Sequence, residues 1–408
     1  MDMQSKAKKL IEIIQTASVE WKPLGEVASY VRGLTYNKGD ESPNNSGYKV
    51  LRANNITLSN NLLNFDDVKI VKFETAVKPH QKLYSGDILI SAASGSREHV
   101  GKVAFIKSDL DYYFGGFMGV VRCKEGLNPR YLFHVLTSGF FQAYLSNVLN
   151  SSTINNLNSK VMNAFVIPIP PLETQQEIVK ILDKFTELEA TLEAELALRK
   201  RQYQYYRDFL LDFDNQIGGG IADGYKGRLK NVVWKTLGEV SDINVGKSPE
   251  TNEIGNYPLI NAGTIPSGYI ASYNTEPDTI TTPSRGQGGI GYVGYQTSKF
   301  WCGPLCYRIR GNNNLIMTKF LYYVMSKDMS KIINLANMAG IPALNKKDLV
   351  NFLIPIPPLA EQEKIVAILD KFDTLTHSIS EGLPHEIALR RKQYEYYREQ
   401  LLAFPKAT

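Results

Sequence analysis

Residues 167–185 read IPIPPLETQQEIVKILDKF, and residues 354–372 read IPIPPLAEQEKIVAILDKF, the same passage 187 positions later. A match of that length at constant offset is an internal duplication, which decides the architecture before any single motif does. Working outward, LRKRQYQYYRDFLL from Leu198 is answered by LRRKQYEYYREQLL from Leu389, now 191 residues on, so the second copy carries four extra residues near 381–384. Upstream, INNLNSKVMNAFV from Ile154 answers IPALNKKDLVNFL from Ile341, RYLFHVL from Arg130 answers KFLYYVM from Lys319, and WKPLGEV from Trp21 answers WKTLGEV from Trp234. Between these anchors, over roughly 28–123 and 241–308, similarity almost vanishes. Two copies have kept a frame while their middles diverged.

The repeated passages have helical spacing. Ile178, Ile181, Phe185, Leu188 and Leu192 form one apolar seam, and Ile365, Ile368, Phe372, Leu375 and Ile379 repeat it. A helix of about 42 residues at ~1.5 Å each would run on the order of 60 Å, which favours a coiled coil. Neither seam can be buried alone, so the two helices are expected to pair. The prolines at 170, 171, 357 and 358 mark helix starts, where a missing N–H costs nothing. Four inserted residues are close to one turn, which keeps Leu383 and Ile387 on the face of Tyr394, Tyr397 and Leu401. Gly382 and Pro384 predict a break or kink there. Helical spacing also directs Tyr203, Tyr205, Tyr206 and their repeats Tyr394, Tyr396, Tyr397 toward the seam or a partner rather than toward bases.

The divergent parts contain short alternating stretches such as YKVLRANNITL, DILISA and KVAFI, punctuated by Gly, Asn, Ser and Pro. These are strand-and-loop signals. The expected fold class is α+β, with two similar domains, each followed by a long helix, and the helices paired. The boundaries read as an N-terminal helix at 1–20, a first domain at 21–166, its helix at 167–216, a glycine-rich linker at 217–232, a second domain at 233–353 and its helix at 354–404.

The chain has 408 residues, too many for one ordinary core. With 43% hydrophobic and 21% charged residues it has globular composition. No apolar run approaches the length of a membrane helix, and MDMQSKAKKLIEIIQ lacks a signal peptide's apolar core, so a cytoplasmic protein is expected. Cys123, Cys302 and Cys306 read as free thiols, too few for a disulfide framework. The formal charge of +5 permits nucleic-acid binding without requiring it. GQGGIGYVG from Gly286 superficially matches a dinucleotide loop, but the residues after it continue as a strand, where such a loop needs a helix. No Walker loop, HExxH pair, methyltransferase tetrapeptide or nuclease carboxylate spacing is present, and the five histidines lie scattered, so neither catalytic nor metal-ligating residues are assigned.

Two loops at matching places carry a different chemistry. SAASGSREHVG at 91–101 and TPSRGQGGIGYVG at 282–294 combine Arg with small hydroxyl or amide residues. Arg can hold guanine through two hydrogen bonds, and Gln or Asn can hold adenine in the same way. Ser94, Arg97, Ser284, Arg285 and Gln287 are therefore candidate base readers. Arg32, Lys38, Arg52, Lys102, Lys247 and Lys299 are candidate phosphate contacts, which give affinity but no sequence information.

Variable halves that are each closed by IPIPPL, a long helix and QYxYYR, with WKxLGEV ahead, resemble the specificity subunit of type I restriction-modification systems. The resemblance covers essentially the whole chain. It implies that the variable halves are target recognition domains and that the helices form an antiparallel coiled coil. It further implies a non-catalytic subunit on double-stranded DNA, working with two modification subunits and two restriction subunits. S-adenosylmethionine, ATP and Mg would sit on those partners, leaving this chain without a cofactor. Two other readings are the DNA-binding part of a self-contained nuclease or methyltransferase, and a coiled-coil regulator that binds only proteins. A rigid helical spacer would also set the gap between half-sites, since one turn of DNA is ~34 Å.

Overall fold

The computed structural model describes residues 3–57, 60–94, 99–150, 156–213, 232–251, 253–378 and 380–406. The chain divides into two compact units, 1–192 with 387–408, and 193–386.

In the first unit the strands are β1 (Glu20–Pro23), β2 (Ala28–Arg32), β3 (Tyr48–Leu51), β4 (Lys69–Val71), β5 (Ile88–Ser91), β6 (Val103–Phe105), β7 (Tyr113–Phe114), β8 (Met118–Cys123) and β9 (Val166–Ile169). An antiparallel sheet has the order β2-β8-β5-β6, a second sheet the order β4-β3-β7, and β1 pairs with β9 as a separate ribbon. That ribbon places Trp21 opposite Pro168, so the WKPL and IPI passages are strand partners that close the domain. Prolines are tolerated because a two-stranded ribbon leaves each strand an open edge. Central β5 is buried throughout, and its apolar run Ile88, Leu89 and Ile90 is that of a strand covered on both faces. Helix Pro129–Thr137 starts where the Asn128 side chain accepts from the N–H groups of Arg130 and Tyr131. It buries Tyr131, Leu132, Val135 and Leu136 in a core that also takes Ala7 and Ile14 from helix Met3–Thr16.

The second unit has β10 (Val233–Thr236), β11 (Ser241–Val245), β12 (Ile254–Ile260), β13 (Gly268–Ile270), β14 (Thr279–Pro283), β15 (Gly294–Gln296), β16 (Trp301–Cys302), β17 (Cys306–Gly311) and β18 (Leu353–Ile356). Its sheets have the orders β11-β17-β14-β15 and β13-β12-β16, with β10 paired to β18. These repeat the first unit strand for strand, down to the parallel pair in each smaller sheet, β3 with β7 and β12 with β16. The frame therefore extends through the stretches where sequence similarity fails.

Helix Leu172–Leu210 contributes to both units. In the first, Phe185 stacks on Tyr397 at 5.2 Å between ring centroids and Glu189 pairs with Arg391, so the two helical segments run antiparallel. In the second, Tyr206 stacks on Phe372 at 5.4 Å, while Tyr203 reaches both Phe372 and His377. The aromatic pairs are repeat equivalents, Phe185 with Phe372 and Tyr397 with Tyr206. Tyr203, Tyr206 and Tyr397 face the seam, whereas Tyr394 turns to His134 of helix Pro129–Thr137. The middle tyrosines of the two triplets, Tyr205 and Tyr396, are 60% and 59% exposed, because one residue on a helix is 100° around. The second helical passage is broken as expected: Leu359–His377 ends, and Gly382 opens Gly382–Leu401 at φ +72°. A Cβ there would lie 2.4 Å from Thr374 O, so the break requires glycine. Ile379 of the expected seam lies outside the described residues.

Candidate nucleic-acid interface

The loops after β5 and β14 leave their sheets at matching ends and are held in the same way. The Leu157 N–H donates to Ala92 O at 2.7 Å, and the Leu344 N–H donates to Ser284 O at 2.9 Å. Ala93 then bridges Asn156, and Arg285 bridges Ala343. Leu157 and Leu344 are the same position of the repeat, both buried, and the asparagine after each precedes a short helix, Ser159–Asn163 or Lys346–Leu349. The repeated LNSK and LNKK passages are thus clamps for loops of different sequence. A second shared feature lies at the ends of β2 and β11. A Cβ on Gly33 would come 2.1 Å from Gly115 O, and one on Gly246 would come 2.2 Å from Gly303 O. Only glycine permits that approach.

The candidate residues fall into separate groups. Arg32 spends its guanidinium internally, on Asn156 Oδ1 at 2.9 Å and Gly116 O at 3.0 Å. Arg52 is paired with Asp67 at 2.6 Å, and Lys102 donates to Ile56 O at 3.2 Å, its pKa lowered by burial. Lys299 donates to Tyr273 Oη at 2.7 Å. Lys38, Lys247, Arg285 and Gln287 are exposed, whereas Ser94 and Ser284 are half-buried. Arg97 lies outside the described residues. In the first unit, Arg32, Ser94 and Lys102 are gathered at the end of β5: Arg32 holds the Asn156 that Ala93 bridges, and Ser91 exchanges backbone bonds with Gly101 and Lys102. In the second, Ser284 and Arg285 share a cavity of about 300 Å³ with Asn345 and Lys346. Sequence reasoning missed the last two. The available signal was the first lysine of LNKK, placed where LNSK has serine.

No carboxylate lines that cavity. The larger cavity, about 780 Å³, is different: Asp278, Asp370 and Asp373 line it around Lys319, a surface that would repel phosphate. Between β14 and β15, the GQGGIGYVG loop turns at Gly286 (φ +122°) and Gly291 (φ +82°) and leads into a strand, as expected. Cys302 and Cys306 are buried, Cys123 is half-buried, and all three are free. Among the described residues no cluster of three or more His, Cys, Asp or Glu could hold a metal ion.

Each domain is riveted to its helix by a buried glutamine. Gln175 accepts from the Asn128 N–H at 2.8 Å and donates to Pro170 O and Gly126 O. Gln362 accepts from the Met317 N–H at 2.9 Å and donates to Pro357 O and Leu315 O. Eight residues, about two turns, further along, the partners have changed. In the first unit Asp183 accepts from Arg130 Nε at 2.7 Å and from His134 Nε2 at 2.9 Å, while His134 Nδ1 lies 3.0 Å from Tyr394 Oη. A carboxylate can only accept, so Nε2 carries the imidazole proton and Nδ1 accepts from the tyrosine. Burial holds His134 neutral, with its pKa lowered to about 4. In the second unit Tyr323 donates to Asp370, with Lys319 3.5 Å away.

Among the described residues no helix is long and apolar enough to cross a membrane. The family model described as "Type I restriction modification DNA specificity domain" matches residues 18–198 and 230–389. The chain is 38% identical over 271 residues to the Escherichia coli type I restriction enzyme EcoR124I/EcoR124II specificity subunit, an alignment spanning 59% of this chain and 63% of that protein. It is 30% identical to the Haemophilus influenzae putative type I restriction enzyme specificity subunit S.HindORF215P, over 98% of this chain and 100% of that one. The crystal structure of the type I S subunit from M. genitalium superposes with a TM-score of 0.60 at 18% identity, covering 96% of this chain and 98% of that one. With both halves matched by one model and the strand order duplicated, the chain belongs to the specificity-subunit family of type I restriction-modification systems.

Proposed function

We propose that this chain is the non-catalytic DNA-reading subunit of its complex, each recognition domain binding one half of a bipartite, asymmetric target in double-stranded DNA. Two modification subunits carrying S-adenosylmethionine would methylate adenine at the site, and two restriction subunits using ATP and Mg would cleave. The setting is the cytoplasm. The observation that carries this reading is the pair of clamped loops: matching backbone bonds hold the loop of Ala93 and Ser94 in the first unit and the loop of Ser284, Arg285 and Gln287 in the second. Identical frames with different side chains suit two different base sequences. Exposed repeat-equivalent residues, Leu198 with Leu389 and Tyr205 with Tyr396, support two copies of one partner.

Adenine-methylation mapping in cells carrying this chain with its modification partner tests the reading. One split motif is expected, and Arg285→Ala should relax or abolish only one half of it. Removal of residues 381–384 should change the gap between the halves. Methylation at a continuous palindrome, or activity on DNA by the purified chain alone, would refute the proposal.

A further inference from the structure

Building on that DNA-reading function, we propose that the hairpin 337–343 is an apolar wedge with which the second recognition domain unstacks a base step of the duplex. The hairpin follows helix Met329–Asn334 and is closed by two backbone bonds, Asn337 N–H to Ala343 O at 2.9 Å and Ala343 N–H to Asn337 O at 3.0 Å. Its tip is tightened where Asn337 Oδ1 accepts from the Ala339 N–H and where Gly340 takes φ +77°. This small, well-braced turn leaves Met338 60% and Ile341 72% exposed, with only Ala339 and Gly340 between them. The side chains of Met338, Ala339 and Ile341 offer no donor and no acceptor beyond a weak thioether, so they are poorly suited to reading base edges. Inserted between bases, apolar side chains of this size separate a step and bend the duplex.

The position of the hairpin selects DNA as its occupant. The Gly286 N–H donates to Pro342 O at 3.1 Å and Arg285 bridges Ala343, so backbone bonds stitch the hairpin to the loop carrying Arg285 and Gln287. Directly behind it lies the cavity of Arg285, Lys346, Ser284 and Asn345, which no carboxylate lines. An apolar tip at fixed distance from two cations matches a base step flanked by phosphates.

The test uses the full complex with its modification subunits and duplexes bearing 2-aminopurine at successive positions of the second half-site, the target having been mapped by methylation. Binding should raise the fluorescence at one step. The Met338→Ala/Ile341→Ala double variant should lose that rise, and Ile341→Leu should keep it. Arg285→Ala/Lys346→Ala should lower the slope of log affinity against log salt by about 2. No rise in the wild-type complex despite tight binding, or an undiminished rise in the double variant, overturns the wedge while leaving DNA reading intact. Failure of the double variant to assemble with the modification subunits would make the hairpin a protein contact and would also overturn it. Failure of the wild-type complex to bind any mapped duplex would instead remove the function on which the wedge rests.

Discussion

The two units share a strand order and differ in how firmly the helical junction in each is sealed. Phe185 is 1% exposed, whereas Phe372 at the equivalent position is half-buried, although each stacks on its equivalent tyrosine. In the first unit the junction belongs to a core that also holds Ala7 and Ile14 of the leading helix and Leu402 and Phe404 of the tail. The hydrogen bonds beside it have diverged too, His134 having become Tyr323 while the aspartate was retained. Backbone-directed glutamine contacts did not change. Groups that satisfy main-chain atoms are fixed by the frame, whereas side chains that satisfy one another can be exchanged as a set.

Truncating the ring should expose this asymmetry most clearly. Phe185→Ala is expected to cost about 3–5 kcal/mol, the range for a fully buried aromatic, and Phe372→Ala roughly half of that. A chain of two units need not unfold in one step, so hydrogen exchange read separately in helices Pro129–Thr137 and Thr318–Lys327 is the measurement. Equal losses in both would show that the difference in burial has no energetic weight.

A pH series sharpens the comparison next. Burial depresses His134 to about 4, below its ordinary value near 6.5, so between those values the unfolded chain binds more protons than the folded one. Stability of the first unit is therefore complete above about 6.5 and falls as pH drops toward 4, by up to about 3 kcal/mol. His134→Tyr, which installs the second unit's residue, should flatten that slope; exchange protection of Pro129–Thr137 across this window reads it, and an unchanged slope would place the titration elsewhere.

The smallest difference is expected at the glutamines. Gln175→Leu and Gln362→Leu each strand a buried N–H and buried carbonyls, at a cost of about 1–3 kcal/mol. Because the two sites make equivalent bonds, the losses should match within about 0.5 kcal/mol. A clear mismatch in the two local exchange profiles would mean that the rivets are not equivalent.

Much of this organisation was legible because duplication makes a sequence its own comparison. Offsets between copies located the helices, the break near Gly382 and the passages flanking each domain. The pairing of WKPL with IPI was not legible, since nothing in either passage names a strand partner 147 residues away, as Trp21 is from Pro168, its antiparallel neighbour in β9. Nor was the clamp at Leu157 and Leu344, although the INNLNSK and IPALNKK match pointed to something worth retaining. Among the candidate contacts, residue type could not separate Arg285, exposed beside Lys346, from Arg32, whose charge is consumed by Asn156 and Gly116.

By itself the sequence determined the duplication, the helical seams and the places where each copy could vary, because periodicity and glycine or proline placement are local properties of the chain. Tertiary structure alone decided that unlike middles share one strand order, and which cations remain exposed. Strand pairing and the burial of charge depend on residues far apart in the chain, and they can be satisfied by many different side chains.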